Sequence, residues 1–347
     1  MKTRIKPIFI LIAVLFAIHG GVAGKTTEFT REIKKDFAVN PGAKLILDNK
    51  FGDIRITATD QNKVSVQVLI TVDARDLESA TKFFEKVNIQ FTNTADQVEA
   101  RTILDEDMRT RGSFSIDYHI TMPVSMSLDA TNKFGDLIAG EIAGKARLKV
   151  GYGNLEVGKL SNSDNLVEVR FGEADFNSVK GAVVTIKYSD MDIEYAGSLN
   201  LNSEFSDVTV ETGVVMDATF EGGNLEIGTL SVLTCRSKFS DIVIEGLDQK
   251  LDLTNKYGSF EIESIPSKFS SLSVVNDYGN IELGISADAS YKLDATMHFC
   301  NLEFNKGKAS FDYLNDSDHD LTARGTVGTN PTATVKVISN FGNVELE

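Results

Sequence analysis

The chain has 347 residues, 50 of them acidic and 35 basic, for a formal net charge of −15. A surface this acidic excludes nucleic acid as the natural partner, because a phosphate backbone requires a basic face. Four histidines and two cysteines leave little material for a metal centre or for thiol chemistry.

In chain order, residues 1–24 come first. Lys2, Arg4 and Lys6 precede an apolar run from Ile8 to Ile18, and Val22-Ala23-Gly24 follow as small residues. This is the pattern of a secretory signal peptide. The run is eleven residues long, whereas a membrane-spanning helix needs about 20. No Cys follows it, which excludes a lipid on a cleavage-site Cys. Cleavage moves the net charge from −15 to −18, and no later apolar segment is long enough to cross a bilayer as a helix. The expected location is exported: periplasmic, cell-surface or secreted.

Residues 25–127 read as an N-terminal α+β capping region. Val64 to Val72 alternates as a strand. Asp76 to Val87 places Leu77, Ala80, Phe83, Phe84 and Val87 on one side of a helix, predicted over about residues 76–87. Residues 89–93, 97–104 and 113–122 read as further strands.

A short unit then dominates. It appears as NKFGDI at 49–54, NKFGDL at 132–137, GYGNL at 151–155, RFGEA at 170–174, KYSDM at 187–191 and SEFSDV at 203–208. It continues as GGNL at 222–225, SKFSDI at 237–242, NKYGSF at 255–260, NDYGNI at 276–281, FCNL at 299–302 and NFGNV at 340–344, twelve copies in all. From Asp136 onward the steps are 17 to 21 residues, except the last, which is 42. Twice 21 suggests one coil whose motif is lost, over residues 311–328. Residues alternate on both sides of each turn, as in Leu251 and Leu253 before, and Phe260 and Ile262 after. Leu199, Leu201, Val208 and Val210 repeat the pattern. Such a unit cannot bury its apolar face alone, but stacked coils share one core and pair in parallel. The fold class expected is all-β: a parallel β-solenoid, or β-helix, of about 11–12 coils over residues 128–347.

Within the unit, Gly or Ser after the aromatic, then Asp or Asn, suits a tight or positive-φ corner. Phe134, Tyr152, Phe171, Tyr188, Phe205, Phe239, Tyr257, Tyr278, Phe299 and Phe341 recur once per coil and are expected to form an internal ladder. Gly222 takes the aromatic place in one copy, with Phe220 expected to fill the space. Basic residues (Lys50, Lys133, Arg170, Lys187, Lys238, Lys256) and carboxylates (Asp53, Asp136, Glu173, Asp190, Asp207, Asp241) form stripes, read as solvated faces. Cys235 and Cys300 hold different places in the repeat, so two free thiols are expected even where oxidation is permitted.

LILDNKFGDIRITATDQNKVSVQV near the start, IDYHITMPVSMSLDATNKFGDL in the middle and the Gly-rich coils after them resemble the putative adhesin family of bacterial envelope proteins. The resemblance covers essentially the mature chain. It implies a β-solenoid domain of uncharacterised function, with a surface or periplasmic role in envelope-stress sensing as a second possibility.

Catalytic, cofactor and metal sites are not expected. His119, His298 and His319 show no metal-ligand spacing. His298 and Cys300, two apart on a strand, lack a third group to orient them. Asp316-Ser317-Asp318-His319-Asp320 resembles a cation loop, but Leu321 and Val327 stand where an EF-hand needs Gly and Glu. Asp190 with Asp192, and Arg170 with Lys187, are the only crowding that suggests a polysaccharide-acting β-helix enzyme. The reading that follows is a non-enzymatic exported protein presenting its surface to an unknown envelope or host macromolecule, with glycan among the candidates. Ligands are expected on the faces between corners. A structural role by end-to-end association, through a final strand at residues 343–347, is the other class considered.

Overall fold

The computed structural model describes residues 14–16, 26–108 and 112–347. The predicted signal peptide lies outside the described residues except for Val14–Phe16, three residues of strand antiparallel to Phe29–Arg31. The chain is all-β, with 71% of it in strands of a large mixed sheet and a single α-helix among the described residues. It divides into two compact units, residues 1–174 and 175–347.

In the first unit, one series of strands begins antiparallel: Thr27–Ala38 on Lys63–Ala74, and Lys63–Ala74 on Phe114–Pro123. It turns parallel from there, through Ile54–Thr59, Leu137–Ile142 and Leu155–Leu160. A second series runs Val87–Asn93, Gln97–Leu104, Lys44–Asn49, Ser127–Asn132, Ala146–Gly151 and Asn165–Arg170, antiparallel only at its first pair. The copy at 49–54 thus joins two parallel-paired strands, although it lies 83 residues upstream of the next copy. The helix, Leu77–Glu85, buries Ala80, Phe83 and Phe84 of the expected face, but Leu77 is 48% exposed and Val87 opens the next strand. Asp76 caps its N-terminus by accepting from the Ser79 amide at 2.9 Å. Arg31 caps the other end, donating to the Phe84 and Val87 carbonyls at 2.8 Å each.

In the second unit, Asp190–Glu204 pairs in parallel with residues 207–221 at a step of 17. Later steps are 18 at Ile242–Phe260 and 21 at Leu251–Leu272. Leu199, Leu201, Val208, Val210, Leu251, Leu253, Phe260 and Ile262 are all buried, so the predicted alternation holds. Aligned burial of this kind, rung after rung, supplies most of the stability at about 25 cal/mol per Å² of apolar surface.

Two expectations fail near the C-terminal end of this unit. Residues 311–328 are not a coil without its motif: Ala309–Asp316 and Asp320–Val327 form an antiparallel hairpin, and Asp320–Val327 pairs antiparallel with Tyr291–His298. The final copy does not follow on outside it. Ala333–Asn340 inserts between Ser271–Asp277 and Tyr291–His298, parallel to both. Val344–Glu345 likewise lies between Ile281–Ile285 and Leu302–Glu303. The strand expected to form an end for association is therefore an interior rung.

Candidate functional site

The corner motif is the most repeated chemistry in the chain, and its geometry inverts the prediction. Ten aromatics from Phe134 to Phe341 are 39% to 57% exposed, so the ladder is external. The residue two before each aromatic is the one that points inward. Asn49, Asn132, Ser203, Ser237, Asn255, Asn276 and Ser339 are all buried. The aromatic itself adopts positive φ, between 50° and 65° at ten corners, Phe134 excepted. That left-handed turn breaks the strand alternation and throws the ring outward. Each such residue costs about 1–2 kcal/mol. Ring stacking offsets about 0.5–1.5 kcal/mol of it per pair, and buried hydrogen bonds offset about 1 kcal/mol each.

Glycine after the aromatic serves close approach more than backbone freedom. A Cβ on Gly153 would lie 2.1 Å from the Gly135 carbonyl oxygen, and one on Gly279 would lie 2.1 Å from that of Gly258. Where Ser stands instead, its hydroxyl turns back to the carbonyl two residues earlier, as from Ser206 to Glu204 at 2.9 Å.

The buried polar residues are linked. In the second unit Ser237 donates to Asn255 at 2.5 Å, Asn255 to Asn276 at 3.0 Å, and Asn276 to Ser339 at 3.0 Å. Asn255, Asn276 and Ser339 also donate to the carbonyls of Gly258, Gly279 and Gly342, which ties each corner shut from inside. In the first unit Asn132 donates to the Gly52 and Asp136 carbonyls, and Thr102 links Asn49 to the buried Tyr118 hydroxyl. Burial pushes the Tyr118 phenol well above its ordinary pKa. Ser203 Oγ is buried without a hydrogen-bond partner.

The outer column is equally regular. In the first unit Phe51, Phe134, Tyr152 and Phe171 stack at centroid distances of 4.9, 5.3 and 4.8 Å, and Phe114 packs obliquely on Phe51 at 5.1 Å. In the second, Tyr188 and Phe205 stack at 5.4 Å. Beyond Gly222, the rings follow in the order Phe239, Tyr257, Tyr278, Phe341, Phe299 and His319, at 4.8 to 5.3 Å. Phe220 does not fill the place at Gly222: it is buried in the inner column. The Phe205 ring leans over Gly222 instead, its Cδ1 only 2.8 Å from where a Cβ would stand.

The carboxylate stripe is more than a solvated face. Asp53 Oδ1 accepts the Asp136 amide at 3.0 Å, Asp136 Oδ1 that of Asn154 at 2.8 Å, and Asn154 Oδ1 that of Glu173 at 3.0 Å. Asp207 and Asp241 clamp the amides of Asn224 and Ser259 at 2.8 and 2.9 Å. Hydrogen bonds from the Ser259 hydroxyl and amide hold the Asp241 carboxyl below its ordinary pKa. Asp and Asn share the position because each offers a short-armed acceptor oxygen.

The two basic residues singled out in the sequence find other partners. Arg170 pairs with Glu168 at 2.8 Å, and Lys187 with Glu204 at 2.5 Å. Cys235 and Cys300 are free, and burial pushes the Cys235 thiol up to about 12. The Cys300 thiol is directed to the Ser339 carbonyl at 3.4 Å. His298 Nδ1 lies 2.6 Å from Asp320 Oδ1. Residues 317–319 form the hairpin turn and line a cleft of about 560 Å³ together with Phe304, Phe311, Leu314, Asp316 and Asp320. Among the described residues no group of three or more His, Cys, Asp or Glu is placed to hold a metal ion, and no helix is long and apolar enough to cross a membrane.

No protein-family model and no curated protein matches this chain. Solved structures similar to it include a putative adhesin from Parabacteroides merdae, 15% identical, with a TM-score of 0.35 over 72% of this chain and 95% of that one. A putative adhesin from Bacteroides fragilis is 12% identical, with a TM-score of 0.29 over 91% and 97%. A putative lipid binding protein from Parabacteroides distasonis is 12% identical, with a TM-score of 0.33 over 72% and 96%. Likeness this distant fixes neither fold nor activity.

Proposed function

We propose that this chain is an exported, non-enzymatic β-solenoid that binds an extended envelope or host macromolecule along its outer aromatic column. On this reading residues 1–24 are the signal peptide, 25–127 the capping region and 128–347 the coils. Parallel pairing at steps of 17 to 21 residues, with side-chain columns in register, supports the solenoid. The observation that carries the binding role is the exposure of the aromatics. A soluble surface normally keeps large rings singly scattered, whereas here they form rows with carboxylates and lysines alongside. A row of apolar ring edges beside polar groups suits a long amphipathic ligand, such as a glycan or a polymer of the envelope.

The test is retention of mature protein on glycan arrays and on envelope fractions, compared with a triple variant Phe205→Ser, Phe239→Ser and Tyr278→Ser. The expected result is retention by the natural chain and its loss in the variant, with the far-ultraviolet strand signal unchanged. Equal retention of the two proteins, or none above an unrelated acidic solenoid, overturns the reading.

A further inference from the structure

Ala333–Asn340 and Val344–Glu345 fill a gap between two earlier parts of the sheet. Ser271–Asp277 and Tyr291–His298 share no backbone pairing among the described residues; each pairs instead with Ala333–Asn340. Every column at this corner runs through the inserted segment. Phe341 stacks between Tyr278 at 4.8 Å and Phe299 at 5.3 Å. Ser339 receives the Asn276 amide group, and Asn343 accepts from the Asn301 amide at 2.9 Å. Ala333, Val335, Val337, Val344 and Leu346 are buried in the core.

The walls of this gap are complete by residue 304, before the inserted strand occurs in the chain. Until it docks, both walls present unpaired strand edges and apolar side chains such as Leu272, Val274, Leu293 and Ala295. Such edges are templates for an added strand. The strand arrives through a short connection at 328–332, where Gly328 and Asn330 take φ of 79° and 50° and Pro331 follows. A strand on a short hinge is the usual material of strand exchange, because the same bonds form whether it comes from its own chain or another.

We propose that the gap between residues 271–285 and 291–304 is a strand-acceptor groove, and that residues 333–346 of a second copy of this chain occupy it in a strand-exchanged dimer. The groove selects an extended segment whose alternate apolar residues lead into a small polar residue, an aromatic and a glycine, as Val335, Val337, Ser339, Phe341 and Gly342 do. The choice between own and exchanged strand follows protein concentration against the effective concentration that the hinge imposes.

Asp277 and Asn340 are paired neighbours, with Asn340 Nδ2 2.8 Å from Asp277 Oδ1, so cysteines placed there fall within reach of a disulfide. In a Cys300→Ser background, chains carrying only Asp277→Cys are mixed with chains carrying only Asn340→Cys, unfolded together, refolded at rising concentration and oxidised. The expected result is a covalent heterodimer linked 277 to 340, whose yield rises with concentration. The doubly substituted chain, Asp277→Cys with Asn340→Cys, is expected to link internally when dilute. Internal linkage of the double variant without any heterodimer at any concentration overturns the exchange. Failure of the double variant to link at all overturns the groove itself. Glycan retention plays no part in this readout, so its outcome is independent of the binding role.

Discussion

The inner and outer columns of the corner are separated by two residues in the chain and by the whole protein surface in space. The inner one is buried throughout and polar at seven corners, where Asn or Ser stands, with Val150, Val169, Ile186, Phe220 and Met297 at the others. The outer one is aromatic and exposed. This reverses the ordinary distribution of residue types, and it works because the two columns do different jobs. Inside, a tight turn leaves carbonyls that water cannot reach, and the amide side chains of Asn49, Asn132, Asn255 and Asn276 donate to them at their corners. Outside, the rings shield one another by stacking and need no core. Polarity therefore reports backbone demand at this corner, while apolarity reports rung-to-rung contact.

Four measurements break or sharpen this contrast. The largest effect is expected from Asn276→Leu, which removes the side-chain donor to the Gly279 carbonyl and to Ser339 and the acceptor for Asn255. Urea unfolding should show a loss of about 2–4 kcal/mol, and a neutral result would show that the polar column is dispensable. In the outer column, Phe239→Ala removes one stacked pair from an exposed site; the same assay should record about 1 kcal/mol. A change as large as that of Asn276→Leu would mean that the rings form part of the core.

Ser203→Ala tests the inner column with the opposite sign. Its hydroxyl is buried and unpartnered, so its removal should raise stability by about 0.5–1 kcal/mol. The smallest effect concerns Asp241, whose pKa lies below the ordinary 3.8 in the folded chain. Its contribution is therefore present above that pH and is lost as pH falls through the lower, folded value. Asp241→Asn keeps the acceptor and discards the titration, so acid unfolding should begin at a slightly lower pH with the neutral-pH melting temperature unchanged. A lowered neutral melting temperature would show that charge, and not the acceptor, matters there.

Much of the fold could be read from residues alone. The strands at 64–72 and 97–104, a helix from Asp76 and the alternation around each copy are all visible as periodicity. The direction of the aromatics was misread because large rings are expected inside. The correct signal lies in parity: Leu45, Leu47 and Asn49 alternate on one side, as do Leu199, Leu201 and Ser203, or Leu251, Leu253 and Asn255. That continuity places the polar residue in the core and makes the next turn responsible for the ring. Strand insertion could not be read in the same way. The separations 276 to 339 and 297 to 339 are 63 and 42 residues, both multiples of 21, so spacing alone is silent about which neighbour a rung chooses. The carboxylate clamps were missed because a column of Asp and Asn resembles an ordinary charged surface until the amides opposite are seen.

Those clamps bear on how such a protein changes length over evolutionary time. Asp53, Asp136, Asn154, Asp207 and Asp241 each grip the backbone at the equivalent position of an adjacent rung, so recombination that adds or deletes a whole repeat leaves every surviving clamp with a partner. An insertion of one residue near the corner slides the oxygen away from its amide and turns the ring from its row. Growth should therefore proceed in quanta of a complete repeat, with small insertions confined to the segments farthest from the corner. The spread of steps between 17 and 21 residues, over motifs that keep the same few positions, is the record expected of that rule.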